Sequence, residues 1–496
     1  MKVLVLNCGS SSVKFQLLDM DTETAIAKGI VEKIGTSSAI LRYTPHTGRG
    51  VKEVLEVLDH ETAIELTIKT LTHGRYGVIG SSDEIGAIGH RVVHGGERFA
   101  DSVLITDEVI DEIRECIQFA PLHNPHNLKG IEACAALMPG KDQVAVFDTA
   151  FHQHIPRHAY TYALPMALYR KLGIRRYGFH GTSHRHVAQK AAEILGKPLA
   201  DCCLITCHLG NGASIAAVKD GLSVDTSMGF TPLEGLVMGT RCGDIDPALV
   251  PYLMEREGLS TKEVDTLMNK YSGLLGVSET TNDMREITAG AEEGNEQHQL
   301  ALDIFCYRVR KYIGAYTAVL GGLDAVIFTG GIGENAAAVR LKSCEGLDVL
   351  GITIDEERNA AHETTISTGP VKVLVIPTNE ELAIGRATVR VLSHMLKVKA
   401  ERIEDEAINA KLGALSEQDK AQVAILWSDN KDAGLNYLVR QLQRDHSISL
   451  TPRALDVLLQ RMGLTEAGRT PAAEEPITEA DEAASDDTPS TTTRAD

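Results

Sequence analysis

Residues 3–19, Val-Leu-Val-Leu-Asn-Cys-Gly-Ser-Ser-Ser-Val-Lys-Phe-Gln-Leu-Leu-Asp, decide the reading of this chain. An apolar run, Val3-Leu4-Val5-Leu6, ends in Asn7. Small residues from Gly9 to Ser12 turn the chain, and a second strand carries Lys14. Backbone N–H groups, serine hydroxyls and one ammonium gathered in so small a volume suit an oligophosphate. The plain alternative is an ordinary β-hairpin with a polar tip.

A second copy argues against the plain alternative. Residues 204–220 read Leu-Ile-Thr-Cys-His-Leu-Gly-Asn-Gly-Ala-Ser-Ile-Ala-Ala-Val-Lys-Asp, again strand, small-residue turn and strand. Two such hairpins, about 200 residues apart, predict a duplicated domain whose turns clamp a nucleotide phosphate chain between them. Apolar runs bounded by turns alternate with helical periodicity up to about residue 400, which reads as α/β. Candidate strands at 144–147, 204–208, 325–328 and 371–376 run into Asp148, Gly210-Asn211-Gly212, Gly330-Gly331-Ile332-Gly333-Glu334-Asn335 and Asn379-Glu380-Glu381. Ligands collect at such strand ends, so one composite site is expected.

Composition bounds the function. At 496 residues the chain is long enough for several domains, and its 43% apolar content supports sizeable cores. A net charge of −19 argues against nucleic acid as a partner. No apolar run reaches the length of a membrane span or a signal-peptide core. Nine cysteines without a CxxC pair fit a reducing cytoplasm.

Two arginines sit between glycines. Arg91, in Gly89-His90-Arg91-Val92-Val93-His94-Gly95-Gly96, and Arg241, in Met238-Gly239-Thr240-Arg241-Cys242-Gly243, can each grip an anion by the guanidinium fork. A structural salt bridge is the competing role for each. His180 can donate a hydrogen bond to developing charge. His152, His154, His180, His184 and His186 have spacings that suit zinc, but no cysteine or carboxylate stands at a matching interval. Magnesium held by hard oxygens from Asn7, Asp148 and Glu380 suits a phosphate site better.

After Lys399 the character changes. Ser416 with Asp419 marks a helix start, Leu435, Leu438, Val439 and Leu442 mark a second helix, and Thr451-Pro452 opens a third that stops at Gly463. A helix-turn-helix is disfavoured by the acidity. From residue 401 onward there are 19 acidic and 10 basic residues, about half of the whole excess. Residues 471–496 read as disordered.

Over residues 1–398 the chain resembles the acetokinase family, within the superfamily of acetate and sugar kinases, Hsp70 and actin. The opening hairpin, Gly178-Phe179-His180-Gly181-Thr182-Ser183-His184, His208-Leu209-Gly210-Asn211-Gly212, Gly331-Ile332-Gly333-Glu334-Asn335 and Thr378-Asn379-Glu380-Glu381 stand in that family's order. The resemblance implies an α/β fold of duplicated actin-like, ribonuclease H-like domains around a nucleotide cleft, plus a small all-α appendage. The first domain would span 1–150, completed by about 385–400, and the second 151–384. A small helical appendage of unknown role at 401–470 and the acidic tail at 471–496 would follow, beyond the roughly 400 residues at which family members usually stop.

The same resemblance implies transfer of a phosphoryl group from ATP to acetate, giving acetyl phosphate and ADP, with magnesium or manganese, in a cytoplasmic homodimer. Asn7 and Glu380 then look like metal-site residues and Lys14 like a phosphate contact. Arg91 looks like the acetate grip, Asp148 like the family's catalytic acid or base, and His180 and Arg241 like its transition-state stabilisers. His208-Leu209-Gly210-Asn211-Gly212, Asp283-Met284-Arg285 and Gly331-Ile332-Gly333-Glu334-Asn335 look like nucleotide contacts. Val93, Leu122, Phe179 and Pro232 look like the acetate methyl pocket. Acetate is ionised at neutral pH and needs no base, so Asp148 is expected to orient the metal's waters. Arg91, Arg241, His180 and the metal are expected to supply a positive field. Propionate or butyrate kinase is the nearest rival, though Val93 would crowd a longer chain. An actin- or Hsp70-like ATP-driven binding module is the rival from another class, but it would not need Arg91, His180 and Arg241 around a second small anion. The appendage is expected to dock on the body and sense closure of the cleft, with Trp427 as its reporter.

Overall fold

The computed structural model describes residues 1–431 and 433–464. The opening stretch forms β1 (Lys2–Cys8) and β2 (Ser12–Asp19), antiparallel, with Asn7 opposite Lys14. β3 (Thr24–Glu32), β4 (Thr36–Pro45) and β5 (Val51–Val57) extend the meander on one side. On the other, β6 (Ile85–Val92) joins β1 in parallel, β8 (Asp142–Phe147) joins β6 in parallel, and β7 (Val103–Leu104) closes the edge. The order is β5-β4-β3-β2-β1-β6-β8-β7.

A second sheet contains β9 (Cys203–Leu209), β10 (Ala213–Lys219), β11 (Leu222–Thr226), β12 (Ala325–Thr329) and β13 (Lys372–Val375), in the order β11-β10-β9-β12-β13. Within the first sheet, β3-β2-β1-β6-β8 has the same plan: three antiparallel strands followed by two parallel ones. The repeat expected from the two hairpins is therefore a repeat of topology. Both turns span three residues, 9–11 and 210–212, and His208 opposes Ser214 where Asn7 opposes Lys14.

β9 and β10 are apolar almost throughout because both faces of their sheet are covered. Ile205, Cys207 and Ile215 pack with Phe305 and Val309 of the Glu296–Leu320 helix. Leu204, Val218 and Ile327 pack with Val187 and Ala191 of the Gly181–Leu195 helix. In the first sheet Leu4, Leu6, Phe15 and Leu17 meet Ala63 and Ile64 of the His60–Leu71 helix. Each fully buried leucine or phenylalanine contributes roughly 1.5–3 kcal/mol relative to exposure.

The Glu380–Ala414 helix is seated on this sheet by close approach. A Cβ at Gly89 of β6 would lie 2.5 Å from the Thr388 hydroxyl and 2.8 Å from Ile384. Only glycine lets the helix come so near, and this fixes Glu380 at its first turn.

Contacts divide the chain into two units, Met1–His394 and a second beginning at Met395. The helices expected after residue 415 are present as Glu417–Asp429, Leu435–His446 and Pro452–Arg461. Ser416 and Asp419 form a capping box, with hydrogen bonds of 2.9 and 3.1 Å. The stretch 401–414, for which the sequence reading proposed no element, continues the Glu380–Ala414 helix, with no proline and no glycine between Arg386 and Leu412 to stop it. The second unit has its own core, in which Trp427 packs with Val423, Leu438, Leu442, Leu455 and Leu458. The acidic tail expected at 471–496 lies outside the described residues. Among the described residues no helix is long and apolar enough to cross a membrane. All nine cysteines are free thiols.

Candidate active site

β1, β6 and β8 are neighbouring parallel strands, so their C-terminal ends present Asn7, Arg91 and Asp148 side by side. Arg91 donates from Nε to both carboxylate oxygens of Asp148 (3.1 and 3.2 Å) and from Nη2 to Oδ2 (2.6 Å). Its Nη1 reaches Asn7 Oδ1 at 3.4 Å. Asp148 is only 3% exposed. Burial pushes its carboxyl above the ordinary value, and Arg91 pulls it back. Glu380 lies within electrostatic reach of both. The chain beyond β6 is held by two buried asparagines: Val93 N–H donates to Asn127 Oδ1 and His94 N–H to Asn124 Oδ1, each at 3.1 Å.

The second hairpin carries a different set. His180 Nδ1 is 2.8 Å from the Ser214 hydroxyl, which is 2.7 Å from His184 Nε2, and His184 Nδ1 is 2.7 Å from the Thr206 hydroxyl. The His180 ring stacks on His208, centroids 4.3 Å apart. His208 Nδ1 is 2.8 Å from the Ser183 hydroxyl, itself 3.0 Å from that of Thr378. A Cβ at Gly212 would lie 3.4 Å from His180 Nε2 and 3.5 Å from Arg241 Nη1, so these two groups converge on the tip of the hairpin. Arg241 is steadied by the Pro232 carbonyl, 3.1 Å from Nη1.

His180 caps the Gly181–Leu195 helix in a left-handed conformation, φ 56° and ψ 22°. A non-glycine residue held there is strained, and such strain gathers at functional sites. Burial first, then the neighbouring His208 and His184 and the two arginines, hold its pKa well below the usual imidazole value. His180 is therefore neutral at neutral pH and acts as a hydrogen-bonding group. This corrects its expected share in the positive field.

The other residues expected at the site have partners of their own. Gly330, at φ +77°, leads from β12 into the short Gly330–Asn335 helix; a Cβ there would meet the Leu209 carbonyl at 2.7 Å. Glu334 Oε1 accepts from the N–H groups of Gly330 (3.0 Å) and Thr378 (2.9 Å), tying that helix to the segment before Glu380. Asn335 Nδ2 donates to the Gly331 carbonyl at 2.9 Å, while Ile332 and Gly333 lie inside this helix. Asn211 Oδ1 accepts from Asn282 at 2.9 Å, beside Asp283, which caps the next helix and holds Arg285 at 3.0 Å. Val93 and Phe179 share one buried cluster.

Four expectations need qualification. Lys14 is half exposed and ion-paired with Glu381, so a phosphate would have to share its ammonium with that carboxylate. Leu209 and Met284 have side chains in the core, which leaves only their backbone to meet a ligand. Leu122 is 60% exposed and stands outside the buried cluster that holds Val93 and Phe179. The zinc alternative fits poorly: both ring nitrogens of His184, and both of His152, are taken by protein groups. Among the described residues no group of three or more His, Cys, Asp or Glu is arranged to hold a metal. The sequence reading missed Thr206, Ser214, Ser183 and Thr378 as the net behind the histidines. The hydroxyl residues flanking each motif were the available signal.

The comparisons with known proteins agree with this geometry. The model of the acetokinase family matches residues 2–386. An acetate kinase of Halothermothrix orenii is 58% identical over 396 residues, covering 79% of this chain and all of that protein. A crystal structure of Porphyromonas gingivalis acetate kinase has a TM-score of 0.77 at 49% identity, and that of a propionate kinase from Francisella tularensis 0.75 at 44%; each spans 79% of this chain and 99% of the other. A duplicated sheet with its two hairpin tips carrying the motifs, matched at this identity, has one explanation: this chain belongs to the acetokinase family and is a phosphotransferase.

Proposed function

We propose that the chain is an acetate kinase, moving the γ-phosphoryl group of ATP reversibly and in line to acetate and giving acetyl phosphate and ADP. The observation that carries this reading is the pairing of two unlike donor sets: Arg91 with Asp148 and Asn7 at the ends of β6, β8 and β1, and His180 with Arg241 converging on Gly212 at the β9–β10 tip. The first suits a small carboxylate next to a metal-bound phosphate. The second suits a phosphoryl group in motion.

Acetate arrives ionised, so no proton has to be removed from the nucleophile. The work is alignment and charge neutralisation. Arg91 orients the carboxylate and is itself oriented by Asp148, which acts as a positioning residue. Arg241 supplies positive charge to the equatorial phosphoryl oxygens, and neutral His180 donates from Nε2. Ser214 and His184 fix the ring that does so. Val93 and Phe179 form the apolar wall for the methyl group. The nucleotide is held by the backbone at 208–212 and 331–335 and by the segment 283–285.

Asn7 and Glu380 offer hard oxygen donors beside Asp148, the donor set that magnesium takes together with phosphates and water. These residues would hold magnesium, or manganese, and the ion would neutralise the phosphate charge. The homodimer and the cytoplasmic location belong to the same proposal.

Incubation with ATP and magnesium in the presence of hydroxylamine tests the proposal. Acyl hydroxamate should form fastest from acetate, more slowly from propionate and least from butyrate, because one methylene is worth about 1–3 kcal/mol in an apolar pocket. Equal or faster reaction with propionate would favour the second reading, a propionate kinase, which the similarity to the Francisella enzyme supports. No hydroxamate from any acid would overturn both.

A further inference from the structure

Behind the active site, two helices and the edge of β8 enclose a cavity of about 240 Å³. The Gly181–Leu195 helix turns Thr182, Arg185, His186 and Gln189 toward it, and the Glu380–Ala414 helix turns Ala383, Arg386, Ala387 and Arg390. Each set shares one helix face. Phe147 and Phe151 make an apolar floor.

The charges around this space do not balance. Three guanidinium groups line it and Lys190 lies near, against the carboxylates of Asp101, Glu23 and Glu193. Asp101 accepts from both Arg185 (3.0 Å) and Arg390 (2.6 Å), and Glu23 accepts from Arg386 (2.7 Å). His186 is only 6% exposed, lines the cavity, and makes no side-chain hydrogen bond among the described residues. Its ring nitrogens keep contact with solvent through the cavity, so a ligand there would replace water as their partner. Burial, then Arg386 and Lys190, keep it neutral, so one ring nitrogen is a donor.

We propose that this cavity is a second, regulatory site for a small organic anion with a carboxylate or phosphate head and a short apolar body. The head meets Arg185, Arg386, Arg390 and His186, and the body lies on Phe147 and Phe151. At roughly 30 Å³ per water in the liquid, the space equals about eight waters, enough for a small metabolite. The walls adjoin the active-site groups directly. Phe147 precedes Asp148, Ala383 lies one turn beyond Glu380, and Gly181 follows His180 and donates to the Asp148 carbonyl at 2.8 Å. An anion bridging the two helices therefore sets where Asp148, His180 and Glu380 stand, and turnover changes with occupancy. This regulatory half rests on the phosphotransfer reading above; the binding half does not.

Calorimetry on the full chain, with ADP, magnesium and acetate saturating the active site, tests the binding half with inorganic phosphate, phosphoenolpyruvate and hexanoate as probes. At least one organic anion should bind one to one with a Kd below about 1 mM, and inorganic phosphate alone more weakly. Arg185→Gln and His186→Leu should each weaken binding about tenfold, and Ala387→Leu, which fills the space, should abolish it. All three should keep kcat within about twofold when no anion is present, which also shows that they fold. No binding by any probe, or binding that all three variants leave unchanged, would overturn the site. Binding to the wild type that leaves kcat unaltered would overturn the regulatory half.

Discussion

The β1–β2 and β9–β10 hairpins hold equivalent places in two sheets of one topology, yet their tips meet different surroundings. In the first, Asn7 is bonded to Arg91 and Lys14 is paired with Glu381, so the tip sits in a web of ions. In the second, His208 and Ser214 are joined to Ser183, His180 and His184, a web of neutral hydrogen bonds. Arg241 reaches this second web from a loop outside it. Duplication supplied two similar scaffolds, and divergence gave one of them charge and the other oriented dipoles. Phosphoryl transfer to a carboxylate needs both: like-charged reactants must be held together, and the transition state must find donors already aimed.

The largest effect should come from breaking the ionic side. Arg91→Ala removes the carboxylate grip and leaves Asp148 buried without its partner, so kcat/KM for acetate should fall about 1000-fold or more. Arg91→Lys should recover little, because one ammonium cannot replace a fork that bonds two residues. Recovery to near wild-type rates would show that only charge matters there. On the neutral side, His180→Ala should lower kcat about 100-fold while leaving the KM for ATP nearly unchanged. Wild-type kcat should carry no limb near pH 6.5 from His180, whose burial keeps it uncharged. A limb there that disappears in His180→Ala would make His180 a cation and erase the contrast between the hairpins. Lys14 is 56% exposed and paired with Glu381, so Lys14→Ala should raise the KM for ATP only about tenfold, read from initial rates.

Two further buried histidines, His90 bonded to Gln143 and His152 bonded to Ser223, have a signature in stability. His90 and His152 are buried with their pKa values lowered to about 4, chiefly by desolvation, against 6.5 for an exposed imidazole. Below pH 6.5 the unfolded chain binds protons that the folded chain refuses, so stability falls as pH drops from 6.5 toward 4. Each such histidine should cost about 2 kcal/mol between pH 6.5 and 5. Thermal melts across that range check this; a flat Tm would mean that these rings protonate in place. The smallest effect belongs to the second unit, whose Trp427 is buried in its own core. The emission of this sole tryptophan should redden when that unit unfolds, and a denaturant titration followed by both fluorescence and activity will separate the two transitions if the units melt apart.

Much of this was legible because it is local. Strand alternation and small-residue turns marked both hairpins, and polar residues just past apolar runs marked Arg91, Asp148 and Glu380. What was not legible depends on pairing across distance. Nothing near His184 in sequence says that its two ring nitrogens go to Thr206 and Ser214, so the histidines read as a metal alternative. The core burial of Met284 and the exposure of Leu122 depend on what packs beside them. The continuous helix through residue 414 was hidden because the charged stretch 401–406 interrupts the apolar pattern before Ile408 and Leu412, which pack into the second unit's core.

The proposed transfer requires a carboxylate oxygen to attack phosphorus directly. Acetate labelled with ¹⁸O in both positions, incubated with ATP and magnesium and followed by ³¹P NMR, tests it. Every bridging P–O bond of the acetyl phosphate formed should carry ¹⁸O from acetate. Unlabelled bridges, or no acetyl phosphate at all, would contradict it.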